Sequence, residues 1–340
     1  MKHIIGGKTP AAAPRVEIVT VDEESAGQRL DNFLLRQLKG VPKTHVYRII
    51  RSGEVRINKG RASADTRVET GDQVRVPPVR LSERAVEKAE AMAAPHAPAR
   101  EFPVLFEDEA VLAVDKPAGT AVHGGSGVSF GVIEQLRMAR PQARFLELVH
   151  RLDRETSGIL LLAKKRSALK ALQDQFRERE TGKTYLALVA GAWPLNKKVL
   201  DKPLHKYLLD DGERRVKVVA RDDPDGMKSV TLVKVRNRSE RYSLLEVTIK
   251  TGRTHQIRVH LASEGLPIVG DDKYGDFELN KALQKPAGGE GAVPLRRMFL
   301  HAWRLQFNHP ATGERIELTC PLPPELARFA GQVLPDTEPS

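Results

Sequence analysis

His150-Arg151-Leu152-Asp153-Arg154-Glu155-Thr156-Ser157-Gly158 sets five ionisable residues between two apolar stretches, 145–149 and 159–163. Short apolar runs bounded by turn-forming residues read as buried strands, so this nonapeptide is a polar loop between two strand-like segments. Taken alone it also fits a charged hairpin in which Asp153 only caps a turn. A second stretch, Thr251-Gly252-Arg253-Thr254-His255-Gln256-Ile257-Arg258-Val259-His260, again sets arginines and histidines among apolar flanks. Two such clusters in one domain point to a polar cleft.

Working outward, the apolar runs 111–114, 185–189 and 244–249 read as further strands. Helical spacing interrupts them at Val132, Ile133 and Leu136, at Leu169, Leu172 and Phe176, and at Ile257 and Leu261 ahead of Gly265. Strands and helices in this irregular order predict an α+β domain with a large mixed or antiparallel sheet rather than a doubly wound parallel one. Residues 279–295, with Pro286, Gly288, Gly289 and Gly291, read as a surface loop inserted in it. Upstream, Leu30, Phe33, Leu34 and Leu38, then Val46, Ile49 and Ile50 before Gly53, mark two short helices. Val55 and Ile57, and Val74 and Val76, alternate as strands do. The chain therefore divides into a disordered tail (1–14), a small α+β module (15–80), a linker rich in Glu, Lys, Ala and Pro (81–100) and a large α+β domain (101–335).

The 340 residues carry 55 Lys and Arg against 44 Asp and Glu, a net charge of +11, which suits a polyanionic partner. Between Arg36 and Arg61 eight basic residues face one acid, Glu54. Such a patch gives salt-sensitive, largely sequence-independent affinity for phosphates. The single cysteine, Cys320, rules out an intramolecular disulfide and a cysteine-based zinc cluster and fits a reducing cytoplasm. No stretch approaches the ~18 apolar residues of a membrane span, and no segment of signal-peptide type opens the chain. A cytoplasmic protein without membrane association is expected.

Gly27-Gln28-Arg29-Leu30-Asp31, Val41-Pro42-Lys43 and Ile50-Arg51-Ser52-Gly53-Glu54-Val55-Arg56-Ile57-Asn58 resemble the S4 RNA-binding domain. The resemblance implies RNA bound along the helix pair, with Arg29, Lys43, Arg48, Arg51 and Lys59 touching phosphates. In the large domain, the segment 150–158, Lys183-Thr184-Tyr185-Leu186-Ala187 and Thr251-Gly252-Arg253-Thr254-His255-Gln256-Ile257-Arg258 occur in order and together resemble the RluA-type pseudouridine synthases. Three further stretches, at 38–43, 119–127 and 164–169, are most similar to members that act on large-subunit (23S) ribosomal RNA.

That resemblance implies isomerisation of uridine to pseudouridine in RNA, with no cofactor and no metal. Asp153 is then the catalytic carboxylate, either attacking the ribose C1′ or removing the 2′ proton. Arg253, carried over from the third motif, is the expected guanidinium partner that keeps a pocketed carboxylate charged. Tyr185 offers a ring to stack on the detached uracil and a hydroxyl to handle a proton. Arg151 matches the position that fills the gap left by the flipped base. His150 and His255 are expected as hydrogen-bonding scaffold. The partner implied is 23S rRNA or a large-subunit assembly intermediate, and a monomer suffices.

Other readings fare worse. His255 and His260 are five residues apart, about 140° around a helix, and no His-Glu-x-x-His motif supports a metal hydrolase. Gly124-Gly125-Ser126-Gly127 lacks the ending of a phosphate-binding loop. A non-catalytic RNA-binding or ribosome-assembly protein is the rival from another class, although a scaffold has no need of Asp153, Tyr185 and Arg253 together. A hydrolase that releases the base would lighten the RNA by one uracil, whereas isomerisation leaves its mass unchanged.

Overall fold

The computed structural model describes residues 15–22, 25–38, 41–79, 97–124, 130–210, 212–285 and 293–334. The expected tail, most of the expected linker, Gly125-Ser126-Gly127 and residues 286–292 of the expected loop lie outside the described residues. The chain forms two compact units, Met1–His96 and Ala97–Ser340.

In the first unit, helices α1 (Leu30–Gln37) and α2 (Lys43–Arg51) pack on a four-stranded sheet of β1 (Glu17–Thr20), β2 (Arg56–Ile57), β3 (Gly60–Arg61) and β4 (Gln73–Val76), in the order β1-β4-β2-β3. The apolar spacing of the sequence becomes its core: Leu30, Phe33 and Leu34 from α1 and Val46, Ile49 and Ile50 from α2 meet Val55, Val74 and Val76. Asp31, also on α1, is buried. Arg29 donates to it through Nε at 3.1 Å and Nη2 at 2.9 Å, and the Tyr47 hydroxyl donates at 2.9 Å. The Arg29 hydrogen bonds hold the Asp31 carboxyl below the usual range, against the effect of its own burial.

The second unit is built on a ten-stranded mixed sheet. Its main path runs β10 (Val199–Asp201), β13 (Val230–Arg238), β14 (Tyr242–Ile249), β9 (Gly182–Ala190), β15 (Leu300–Asn308), β8 (Ser157–Ala163), β6 (Val111–Lys116), β5 (Val104–Glu107). β7 (Glu147–Leu148) pairs with β8, and β16 (Arg315–Thr319) with β15. A separate hairpin joins β11 (Leu204–Leu208) to β12 (Arg214–Val218). Among the described residues every strand pairing in this sheet is antiparallel except β15 with β8.

All seven residues of β8 are buried because the sheet is covered on both faces. Leu160 and Leu162 join the core that contains Val132, Ile133 and Leu136 of α3 (Val132–Ala139). Ile159, Leu161 and Ala163 face the other way, onto Ala168 and Leu172 of α4 (Arg166–Glu178). An uninterrupted apolar run is what two covered faces require. Gly158 lies near the start of this strand at φ 105°, and a Cβ there would lie 2.3 Å from the Ala302 carbonyl oxygen. Only glycine lets β15 pair this closely beside the end of the 150–157 segment.

The expected surface loop at 279–295 is corrected in part. Its first residues belong to α6 (Phe277–Leu283), whose N-terminus is capped by Asp276 accepting from the Leu279 N–H at 3.0 Å. Leu295 is buried and donates its N–H to the Leu283 carbonyl at 2.9 Å, so the two ends of the segment are pinned together. The remaining helices among the described residues are α5 (Gln256–Ala262) and α7 (Pro324–Val333).

Candidate active site

Asp153 sits in the loop between β7 and β8. Buried Leu152 and Thr156 anchor the loop in the interior, and the Thr156 N–H closes it onto the Asp153 carbonyl at 3.1 Å. It is further held by Lys116, whose side chain is wholly buried at the end of β6. Its ammonium donates to the carbonyls of Pro117 at 2.9 Å, Thr120 at 2.7 Å and Arg154 at 3.0 Å. Burial pushes the Lys116 amine down to about 7, although Glu155 and Asp153 favour its charge. Three carbonyls from two loops thus converge on one ammonium beside the loop that carries Asp153.

The opposite wall is the segment 251–258. The buried Gln256 side chain organises it: Oε1 accepts from the Thr251 hydroxyl at 2.7 Å and the Arg253 N–H at 3.1 Å, while Nε2 donates to the Val230 carbonyl at 3.0 Å. His255 then adopts a left-handed conformation at φ 53° immediately before α5 begins. This turn aims His255 and Arg258 toward the carboxylate. Arg258 Nη1 lies 3.9 Å from Asp153 Oδ2, and His255 Nε2 lies 4.0 Å from Oδ1. Burial lowers the His255 pKa despite Asp153, so at neutral pH the standing positive charge beside Asp153 belongs to Arg258.

Arg258 is itself fixed. It donates to Asp271 through Nε at 2.7 Å and Nη2 at 2.6 Å, with both side chains almost completely buried, and reaches Asp272 at 3.1 Å. Burial opposes its charge, but these carboxylates outweigh it and hold the guanidinium above its ordinary value. The guanidinium lies over the Tyr274 ring at 5.2 Å, and the Tyr274 hydroxyl meets His255 Nδ1 at 2.8 Å.

The structure therefore corrects one expectation. The guanidinium close to Asp153 is that of Arg258, and Arg253 directs its Nε to the Lys228 carbonyl at 3.3 Å instead. The physical reason is the left-handed turn at His255, after which the first turn of α5 carries Arg258 inward while Arg253 stays on the preceding loop. Arg253 still lines the pocket, together with Arg151, Asp153, Tyr185, Ile249, His255 and Leu300. Tyr185 comes from β9 and is buried. Burial, and then the Asp153 charge, raise its phenol well above the ordinary value, so at neutral pH it holds its proton.

His150 accepts the Leu161 N–H at 3.0 Å and stacks on Phe176, while His260 bridges the Thr231 hydroxyl and the Lys202 carbonyl. Both are structural links. Among the described residues His205, Asp223 and Asp225 alone bring three metal-ligating groups together, and none of them lines the Asp153 pocket. Sequence reasoning assigned no role to Lys116, Asp271 or Tyr274. The only local signals were Asp115-Lys116-Pro117 and the polar run Asp271-Asp272-Lys273-Tyr274.

In the first unit Lys43, Arg48, Arg51 and Lys59 are all exposed. On α2 the side chains of 48 and 51 lie about 60° apart and opposite the buried residues, while Lys43 stands exposed in the first turn of the helix. Arg29 stands apart from these, since its guanidinium is already forked onto Asp31 while remaining half exposed.

A carboxylate faced by a fixed guanidinium, beside a buried protonated phenol in an arginine-lined pocket, can be compared with known proteins. The profile of the RNA pseudouridylate synthases matches residues 110–263, and that of the S4 domain matches residues 28–74. The chain is 50% identical over 318 residues to ribosomal large subunit pseudouridine synthase C of Escherichia coli (strain K12), covering 93% of this chain and 96% of that protein. The chain belongs to the RNA pseudouridylate synthase family. The synthase of the same description from Yersinia pestis is 51% identical over 313 residues, 92% of this chain and 94% of that one. Among solved structures, human RNA pseudouridylate synthase domain containing 4 matches with a TM-score of 0.56 and 28% identity, over 69% of this chain and 95% of that one. The enzyme is thus an RNA pseudouridine synthase with an N-terminal S4 domain.

Proposed function

We propose that this synthase isomerises specific uridines of large-subunit (23S) ribosomal RNA, with Asp153 as the catalytic carboxylate. The observation that carries the assignment is Asp153 itself, held between a loop pinned by Lys116 and the fixed cation of Arg258. The uridine leaves its stack to reach the pocket, and Arg151, exposed at the pocket mouth, fills the space it vacates. The bond from ribose C1′ to uracil N1 breaks and one from C1′ to C5 forms. The proton lost by C5 is balanced by the one gained at N1. Tyr185 packs the uracil ring and, protonated, donates rather than accepts. Arg253 contributes to the pocket wall. No cofactor enters this scheme. The substrate class follows from the names of the relatives and from the S4 domain, where Lys43, Arg48, Arg51 and Lys59, with Arg29 contributing less, hold phosphates. The enzyme is read as a cytoplasmic monomer.

The test is incubation with unmodified 23S rRNA transcript, followed by carbodiimide labelling and primer extension, with Asp153→Asn alongside. New stops with the wild type and none with the variant are expected, with RNA binding preserved in both. Turnover by Asp153→Asn would overturn the assignment. Neutralising Lys43, Arg48 and Arg51 together weakens binding and flattens its salt dependence, by about 0.7 in the log–log slope for each phosphate no longer neutralised on single-stranded RNA.

A further inference from the structure

Next to the Asp153 pocket, and sharing Arg151, Tyr185, Ile249, Gly252 and Arg253 with it, lies a second pocket at the junction of α4, β9 and the end of β14. Six cations line it: Arg151, Arg177, Arg179, Lys183, Lys250 and Arg253. None of its lining residues is acidic. Among the described residues only Arg177 of the six has a carboxylate within ion-pairing distance, that of Asp174.

Lys183 is the informative member. It lies two residues before Tyr185 on the same face of β9, and it is 8% exposed. Its ammonium meets the Thr181 hydroxyl at 3.3 Å and the Phe176 ring at 5.1 Å, with no carboxylate of the described residues in reach. Burial lowers its pKa, and the charges of Arg179 and Lys250 lower it further. Buried cations are ordinarily paired. Here burial and like charge act together on one lysine, and the missing element is an anion.

We propose that this pocket binds the phosphodiester backbone of the RNA strand next to the uridine held at Asp153. The inference rests on the RNA-modifying function argued above and adds a binding site in the catalytic domain separate from the S4 surface. An entering phosphate neutralises the mutual repulsion of Lys183, Arg179 and Lys250 and fixes the strand so that the neighbouring nucleotide enters the catalytic pocket. Arg151 and Arg253, which line both pockets, span the step from backbone to base.

The test uses the full-length chain in an Asp153→Asn background, so that RNA is bound but not converted. Affinity for 23S rRNA transcript is measured against salt concentration for this parent and for the same chain with Arg179→Gln and Lys250→Gln. Both side chains are exposed, so the fold is retained. The expected result is a log–log slope flattened by about 0.7 for each phosphate no longer neutralised, equivalent at 0.1 M salt to roughly fivefold weaker binding per phosphate. Arg179→Lys with Lys250→Arg, which keeps both charges, is expected to hold the parent's slope. An unchanged slope in the neutral variant, an equal loss in the charge-keeping variant, or a parent that does not bind the transcript overturns the phosphate site. Turnover by wild-type enzyme, read separately by primer extension, decides the catalytic reading whatever the slope shows.

Discussion

Removing either member of the Arg258–Asp271 pair separates the structural role of that pair from its role in catalysis. Arg258→Met takes the cation from Asp153 and leaves the Asp271 carboxylate only the N–H groups of Lys273 and Tyr274, whereas Asp271→Leu leaves the guanidinium only Asp272 and the more distant Asp153. Since both side chains are at most 3% exposed, each single change is expected to cost about 3–5 kcal/mol of stability, as breaking a buried pair from one side does. For a unit of this size that lowers Tm by roughly 10 °C. The double variant, Arg258→Met with Asp271→Leu, removes both fully buried charges, leaves only the more exposed Asp153 and Asp272 without this cation, and should recover part of that loss. Activity behaves differently. Two unit charges at the 3.9 Å between Arg258 Nη1 and Asp153 Oδ2 attract by roughly 4 kcal/mol at an effective dielectric of about 20. Asp271 and Asp272 share the same guanidinium and reduce this, so kcat/KM should fall by about 10²–10³-fold in every protein carrying Arg258→Met. The assays are thermal unfolding and initial rates on a 23S rRNA transcript over the four proteins of the cycle. Stability losses that simply add in the double variant would refute the pair as an energetic unit. Near-normal turnover by Arg258→Met would refute its role beside Asp153.

Two other outcomes follow from the same geometry. Tyr185→Phe keeps the ring and should retain more activity than Tyr185→Leu, which loses both ring and hydroxyl, and kcat on the transcript ranks the three proteins; equal rates for Phe and Leu would show that the ring is not used. For Lys116, the folded-state pKa of about 7 is depressed from 10.5, so the unfolded chain binds the proton more tightly between these values and stability contributed by this group rises with pH across that window. Tm measured at pH 7 and pH 9.5 should therefore rise more in the wild type than in Lys116→Met, and parallel changes in the two proteins would contradict the burial of a titrating ammonium.

Much of this enzyme was legible in the chain. The run 159–163 could be read as a strand because a strand buried on both faces must be apolar at every position, and α1, α2, α3 and α4 betray themselves by apolar residues spaced three and four apart. β13 and β15 escaped that reading. Their runs are broken by charged and polar residues, such as Lys234, Arg236 and Arg304, which the sheet tolerates where one face is open. Helix α6 was hidden by the glycines and proline that follow it.

For the site, local sequence determined which groups are available: a carboxylate at 153, a phenol at 185, and arginines at 151, 253 and 258, each in a polar segment beside an apolar one. Which arginine reaches Asp153 was decided only by tertiary structure. It depends on a single left-handed residue at His255 and on Asp271, thirteen positions beyond Arg258. The support given by Lys116 depends likewise on the carbonyl of Arg154, a residue 38 positions away. A side chain's identity and its neighbours along the chain set its chemistry and local backbone preference, but the distance between two charges is set by where the sheet and helices bring the intervening chain back.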